Sequence, residues 1–344
     1  MKAKTKKSRK RRALTALCRV LAVVLALMLT VTFAATSFMN RMNRVDGSAD
    51  TMSAEEMQEY LDHEKQEDTD INGPAINENE VEWGDVVDTV LGDSDDVINI
   101  LLIGQDRREG ESRARSDSMI LCTVNRNTKS IILTSFMRDL YVQIPGYGSN
   151  RINASYVWGG MELLNQTLEQ NFGIHVDGNV EVDFNQFSEI VDLLGGVPMD
   201  LREDEAKLIN SEVGGTLVAG HQRLNGDQAL TYARIRKLDA DADFSRTNRQ
   251  RKLINALLGE VKDSGLVTLL KLLDEVLPMV TTDMTNGEIL GYAAKVFPML
   301  SKAEITSQRV PADGAYSGAM INGMAVLVAD MNKTRQMLRE TLGG

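Results

Sequence analysis

The sequence predicts an α/β chain, an αβα-layered domain preceded by one N-terminal transmembrane helix. Three observations predict it. From Val97 onward, apolar strand-like runs alternate with helical periodicities, the pattern of helices packed on a sheet. Near the N-terminus a cluster of lysines and arginines precedes 20 uncharged residues, Val20–Met39, and about 20 such residues span a bilayer core. Between the two lies an acidic stretch too poor in apolar residues to fold alone.

Charge divides the 344 residues into three regions. Residues 1–45 carry 11 basic and no acidic side chains, residues 46–97 one lysine against 18 carboxylates, and residues 98–344 26 basic and 31 acidic groups. The expected organisation is a basic cytoplasmic tail over 1–19, an anchor over 20–39, an acidic linker over 40–97 and one folded domain over 98–344. The positive-inside rule puts the tail in the cytoplasm and the domain outside, on a single-pass protein of the cell membrane. A cleaved signal peptide competes, because Phe33-Ala34-Ala35 is rich in small residues, but the apolar run is long for one. A mildly acidic folded part argues against a nucleic-acid binder. On this topology Cys18 and Cys122 lie on opposite sides of the bilayer, which excludes a disulfide between them.

Along the chain, Ser53 and Glu56 have the spacing of a capping box for a short helix over Ser53–Lys65, and the rest of the acidic stretch reads as a spacer. Val97–Ile103 is a buried strand. Met119–Val124 and Ser130–Phe136 form a hairpin around Asn125-Arg126-Asn127-Thr128. A helix follows the Gly159-Gly160 pair and stops at Gly173, then a strand at Asn179–Asp183, a helix at Asn185–Leu194 and a strand at Val197–Leu201. Gly214–Gly220 is a glycine-broken connection, and Asn225-Gly226 opens a helix at Asp227. Thr268–Val280, Asn286–Leu300 and Gly323–Leu342 have helical periodicity, with a strand at Ile305–Val310.

Chemistry concentrates in arginines and aspartates at strand and helix ends. Asp227–Leu258 brings Arg234, Arg236, Arg246, Arg249 and Gln250 close in sequence, and from Ser245 it reads as a helix. There Arg246, Gln250, Leu253 and Leu257 share one face. A phosphate head with an apolar tail would suit that face; so would an ordinary amphipathic helix with solvated arginines. The loop after the first strand carries Asp106 and Asp117, a donor set of the kind that holds Mg²⁺ together with substrate phosphates. Arg115 and Arg138 also follow loop or strand ends. Phosphoryl transfer asks a protein chiefly for positioning and charge neutralisation. The three histidines, His63, His175 and His221, have no nucleophile context, and no HExxH or cysteine pair is present.

ILLIGQDRR, RSDSMIL, SFMRDLYV, RINASYVWGG, VDFNQFSEIVDLLGGV, LNGDQALTYARIR and DFSRTNRQRKLI resemble, in order and spacing, the motifs of the LytR–CpsA–Psr family. The resemblance covers roughly residues 97–260. It implies a central mixed sheet flanked by helices, with a polyprenyl chain in an apolar tunnel between them. It also implies a phosphotransferase that moves an anionic or capsular glycan phosphate from an undecaprenyl-pyrophosphate carrier to peptidoglycan. Carried over by motif, Asp106 and Asp117 match the Mg²⁺-binding aspartates. Arg115, Arg138, Arg234, Arg236 and Arg246 match the pyrophosphate-binding arginines, and Gln250 matches the amide beside them; the apolar face of that helix, Leu253 and Leu257, is then expected to help hold the prenyl tail. One departure stands out: Phe136-Met137 replaces the usual Ile-Pro before Arg138-Asp139, which predicts a looser presentation of Arg138. The rival function is a membrane-tethered regulator that binds polyprenyl phosphate without turnover.

Overall fold

The computed structural model describes residues 37, 40–45, 52–64, 71–88, 90–105, 116–236, 238–239, 242–263 and 275–343. The chain divides into two compact units, residues 1–42 and 43–344, and the second is described below. In chain order its first elements are β1 (Asn43–Arg44), α1 (Ala54–Glu64), β2 (Val97–Gln105), β3 (Ser116–Asn125), β4 (Ser130–Phe136), β5 (Tyr141–Ile144), β6 (Gly148–Arg151), α2 (Ile152–Phe172), β7 (Gly178–Asp183) and α3 (Phe184–Leu193). Then follow β8 (Val197–Leu201), α4 (Glu203–Val213), β9 (Gly220–Leu224), α5 (Gly226–Arg234), α6 (Ala242–Asp263), β10 (Thr281–Thr282), α7 (Asn286–Leu300), β11 (Glu304–Val310), β12 (Tyr316–Ile321), β13 (Met324–Ala329) and α8 (Met331–Leu342).

The central sheet is mixed, in the order β1-β10-β7-β2-β3-β4-β11. β2 runs parallel to β7 and β4 parallel to β11, while β3 is antiparallel to both β2 and β4. Alternation along β2 covers both faces. Leu101 and Ile103 enter the cluster built with α2, and Ile98 enters the one that includes Ile254 of α6 and Met299 of α7. Leu101, Leu121 and Leu133 are fully buried, each contributing about 1.5–3 kcal/mol relative to exposure. A third cluster joins α3, α4, α5 and α6 through Val191, Ile209, Tyr232 and Leu253. The arrangement is thus the α/β domain with helices on both faces that the sequence predicts. The Ser53–Glu56 capping box forms, and so do boxes at Asp183, Asn225 and Thr285.

Several expectations change. The helix expected after the glycine pair begins before it, at Ile152, and kinks at Gly159-Gly160. Gly160 has φ +62°, a conformation glycine adopts without a Cβ penalty. Gly323–Leu342 is not one helix: Met324–Ala329 pairs with Tyr316–Ile321 as a hairpin, and only Met331–Leu342 is helical. Asn322 and Gly323 both have positive φ, the backbone of a tight hairpin turn, and Asp330 caps the helix by accepting from the Lys333 amide. The glycine-broken connection ends in β9, which pairs with β8.

The acidic stretch is more than a spacer: Met57, Tyr60 and Leu61 of α1 pack against the cluster built with α2. Leu91 and Val81 are buried, Trp83 stacks on Tyr141 at 5.8 Å, and the Ile76 amide donates to the Met320 carbonyl at 3.0 Å. The folded part therefore begins well before residue 98, held by a few apolar anchors among the carboxylates. The predicted anchor Val20–Met39 lies outside the described residues apart from residue 37. Among the described residues no helix is long and apolar enough to cross a membrane. Most of the helix predicted over Thr268–Val280 also lies outside them; its described end closes in a single turn at Leu277–Met279.

Candidate functional site

The parallel strands β2, β7, β4 and β11 end along one edge of the sheet, where β3 begins. Loops beyond such strand ends are where α/β sheets place ligands. Asp106 and Arg115 fall in 106–115, between β2 and β3 in sequence, and lie outside the described residues. Asp117 follows directly in β3, beside a register shift between Gly104 and Gln105. That irregularity re-aims the strand start where the loop re-enters the sheet.

Arg138, two residues beyond β4, is only 4% exposed. Its Nη1 donates to Asp117 Oδ1 at 3.0 Å and its Nε to Asp139 Oδ2 at 3.2 Å. Behind it, Arg151 lies 3.5 Å from Asp139 through Nε, which also donates to the Ala325 carbonyl at 3.0 Å. Arg138 is therefore held by carboxylates on two sides, with a second buried arginine bracing one of them. Sequence reading singled out neither Asp139 nor Arg151; their signal was adjacency to Arg138 and a charged residue opening the RINAS segment. The looser presentation expected at Met137 does not occur. Its amide donates to the Val310 carbonyl at 2.9 Å, a ladder bond that proline could not make. Thr247 Oγ1 meets its sulfur at 3.2 Å.

Asp117 has 22% of its side chain exposed. Burial works to raise its pKa, but the charges of Arg138, Arg246 and Arg236 and the hydrogen bond from Arg138 outweigh it. The carboxyl is thereby held below its ordinary range. The structure thus brings together Asp117, Arg138, Arg246 and Arg236. Arg246 lies near the start of α6 and is buried. Arg234, at the end of α5, is exposed and stands over the Phe184 ring at 4.9 Å.

Between the sheet and helices α3, α5 and α6 lies an apolar cavity of about 160 Å³, lined among others by Ile120, Val182, Phe184, Ala233, Gln250 and Leu253. Gln250, one turn after Arg246, and Leu253 both reach it. Leu257 does not line it; it packs against the α3–α6 cluster instead. Phe184 was missed in the sequence and connects Arg234 to the cavity wall. Arg249, close to the others in sequence, faces elsewhere. Its Nε donates to Glu205 Oε1 at 2.8 Å, its Nη1 to the Ile235 carbonyl and its Nη2 to Asp239. Arg202 also binds Asp239, at 2.6 Å, so Arg249 fastens the loop after α5 to α4.

A divalent-metal role for Asp117 fits its chemistry: it is an ionised, partly open carboxylate of hard-oxygen type. Among the described residues no group of three or more His, Cys, Asp or Glu side chains could hold a metal, so Asp117 would depend on the adjoining loop and on ligand oxygens.

Comparison with known proteins gives a consistent picture. The LytR_cpsA_psr family model matches residues 47–342. The chain is 33% identical over 254 residues to "Regulatory protein MsrR" of Staphylococcus aureus (strain COL), covering 72% of this chain and 75% of that protein. It is 36% identical over 179 residues to the polyisoprenyl-teichoic acid–peptidoglycan teichoic acid transferase TagU of Oceanobacillus iheyensis, covering 50% and 54%. Among solved structures, TagT, known from Bacillus subtilis, bound to LIIa-WTA is similar with a TM-score of 0.60 at 27% identity, over 73% of this chain and 92% of that one. TagT with bound octaprenyl pyrophosphate lipid has a TM-score of 0.55 at 25% identity over the same shares.

Proposed function

The chain belongs to the LytR_cpsA_psr family, and from that premise we propose that it is an extracytoplasmic phosphotransferase. On this reading it moves an anionic glycan phosphate, of a teichoic acid or capsule, from an undecaprenyl-pyrophosphate carrier to peptidoglycan. The observation that carries the reading is Gln250. It lines the apolar cavity one helical turn from Arg246, whose charge acts on Asp117. A polar head bound by arginines and an apolar tail in the cavity would then meet at one helix.

In the reaction, an acceptor hydroxyl of the peptidoglycan attacks the glycan-linked phosphorus. The new P–O bond forms as the bond to the lipid phosphate breaks, the hydroxyl proton leaves to solvent, and polyprenyl phosphate departs. Arg138, Arg236 and Arg246 neutralise the pyrophosphate and the charge growing on the departing phosphate. Arg115 and Arg234 would extend that shell, and Leu253 would hold the start of the prenyl tail. The residues that would hold Mg²⁺ are Asp106 and Asp117, and the ion would supply further charge neutralisation there. On the same reading the acidic segment and domain stand outside the cell membrane, tethered by a single-pass anchor at 20–39.

The experiment is a transfer assay with purified full-length protein, a polyprenyl-pyrophosphate-linked glycan and peptidoglycan fragments. A phosphodiester-linked product that disappears in Arg138→Ala supports the reading. A second reading, lipid binding without turnover, draws on the likeness to a protein named as regulatory. Tight polyprenyl-pyrophosphate binding with no product from any glycan donor would favour it.

A further inference from the structure

Helix α6 has a second polar face that the proposed transfer site leaves unused. Phe244, Thr247 and Arg251 are spaced i, i+3 and i+7, roughly a third of a turn around the helix from Arg246, Gln250 and Leu253. This face meets the ends of β4 and β11. Thr247 contacts Met137, and the Arg309 guanidinium lies 4.3 Å from the centre of the Phe244 ring. Phe244 stacks in turn on Tyr316, with centroids 4.7 Å apart. Ser135 and Arg309 are partners in the parallel ladder, so their side chains leave the same face of the sheet. Leu133, two residues earlier and thus on that face, packs in the cluster that includes Ile254 and Leu258 of α6.

Four polar atoms under this face are buried and have no hydrogen-bond partner: Arg251 Nε and Nη1, Arg309 Nε and Ser135 Oγ. Arg251 is 7% exposed and Ser135 1%. The Arg251 guanidinium is pushed down to about 10, first by burial and then by the charge of Arg309, with Asp313 opposing the shift. Asp313 pairs with Arg309 through Nη2, and its own side chain is 84% exposed. Two guanidinium groups therefore share one carboxylate that stands largely in solvent. Buried charged donors without acceptors are costly, and an oxyanion bound between them removes that cost.

We propose that Arg251, Arg309 and Ser135 form a second anion subsite that binds a phosphate group, entered past Arg309 and Tyr316. The Phe244–Tyr316 stack forms the wall against which an attached sugar or polyol packs. Met137 lies between the two sites, touching Thr247 on one side and preceding Arg138 on the other. A glycan carrying more than one phosphate could engage both. Phosphate binding here does not rest on the transferase reading, because it would hold equally in a protein that binds without turnover; only the glycan as the source of the phosphate does.

The test is calorimetric titration of the full-length chain in detergent with inorganic phosphate, against chloride at matched ionic strength. The expected result is two phosphates bound by the native sequence, with one lost or weakened about tenfold or more in Arg251→Met and in Arg309→Met. The other phosphate should be weakened instead by Arg246→Met. Without phosphate, Arg251→Met should unfold at or above the native temperature, because it replaces an unpartnered buried charge with apolar volume. N-acetylglucosamine 1-phosphate should bind this subsite more tightly than inorganic phosphate, and Tyr316→Ala should remove the difference. Unchanged phosphate stoichiometry and affinity in both Arg251→Met and Arg309→Met would overturn the proposal. Arg309 reaches the surface, with 20% of its side chain exposed, so its variant answers the question even where Arg251→Met does not fold. Loss of transfer activity in the native sequence would bear on the transferase reading alone.

Discussion

Arg138→Ala separates a catalytic role from a structural one, because the structure bounds both effects. Arg138 makes two charge-assisted hydrogen bonds, to Asp117 at 3.0 Å and Asp139 at 3.2 Å. Removing one partner of a buried ion pair costs about 3–5 kcal/mol when the other is left uncompensated. Here neither carboxylate is left so: Asp139 keeps Arg151 at 3.5 Å, and Asp117 keeps the charges of Arg246 and Arg236. The loss of stability should therefore be nearer that of one hydrogen bond to a charged group, about 1.5–3 kcal/mol. Loss of one preorganised electrostatic donor in a transfer site costs about 10²–10³ in rate. Urea unfolding and the peptidoglycan transfer assay measure the two quantities on one preparation. The pH dependence adds a check. Asp117 has a depressed pKa in the folded state, so its contribution to stability is present above the unfolded value of about 3.9 and is lost as pH falls through the folded one. The Arg138→Ala deficit should thus be largest near neutrality and shrink in acid, where Asp117 is protonated in both proteins. Transfer within a few-fold of the native rate, from a variant still folded, would refute the assignment of Arg138 to the reacting phosphates.

Three further outcomes follow from the same geometry. Ala233→Leu projects added volume into the 160 Å³ cavity and should abolish retention of polyprenyl pyrophosphate, read by mass spectrometry of the purified protein. Its stability should change by less than about 3 kcal/mol; retention equal to the native protein would place the lipid elsewhere. Gly160→Ala forces a Cβ onto a backbone at φ +62°, ψ −152°, and should cost about 1–3 kcal/mol in urea unfolding; an unchanged midpoint counts against the kink. Arg249→Met strips Glu205 and Asp239 of a buried partner but leaves both of them Arg202, and should cost about 1.5–3 kcal/mol. Because Arg249 lies outside the arginine–aspartate cluster, polyprenyl-pyrophosphate affinity of the folded fraction should hold, and a tenfold loss would mean it belongs to the site.

Legibility of the chain tracked how local each signal was. β2, the β3–β4 hairpin, α3, α5 and α7 were readable because apolar runs, capping boxes and Asn-Gly or Gly-Gly punctuation lie within a few residues of each boundary. Met324–Ala329 was not, because a strand buried at nearly every position lacks the alternation that marks a half-exposed one. The acidic segment misled for a different reason: its average composition describes its carboxylates, whereas Val81, Trp83 and Leu91 decide that it packs. In the candidate site, the motif positions single out Asp117 and Arg138, which the structure brings together. The braces behind them, Asp139 and Arg151, come from opposite ends of a hairpin excursion and meet only in the fold.

Helix α6 shows why neighbouring arginines of one segment take different roles. Successive positions turn by about 100° around a helix, so Arg246, Arg249 and Arg251 look out in separate directions. Arg246 shares a face with Gln250 and Leu253 and contributes positive charge to Asp117. Arg249 has an acceptor for each of its donor nitrogens in Glu205, Ile235 and Asp239, which makes it a fastening between the loop after α5 and α4. Arg251 is buried, with Arg309 close enough to depress its pKa further, which makes it costly unless an anion joins it. Sequence proximity therefore groups residues that the helix separates. Satisfaction of their donors, more than their charge, distinguishes the arginine that holds the fold from those proposed to hold phosphate.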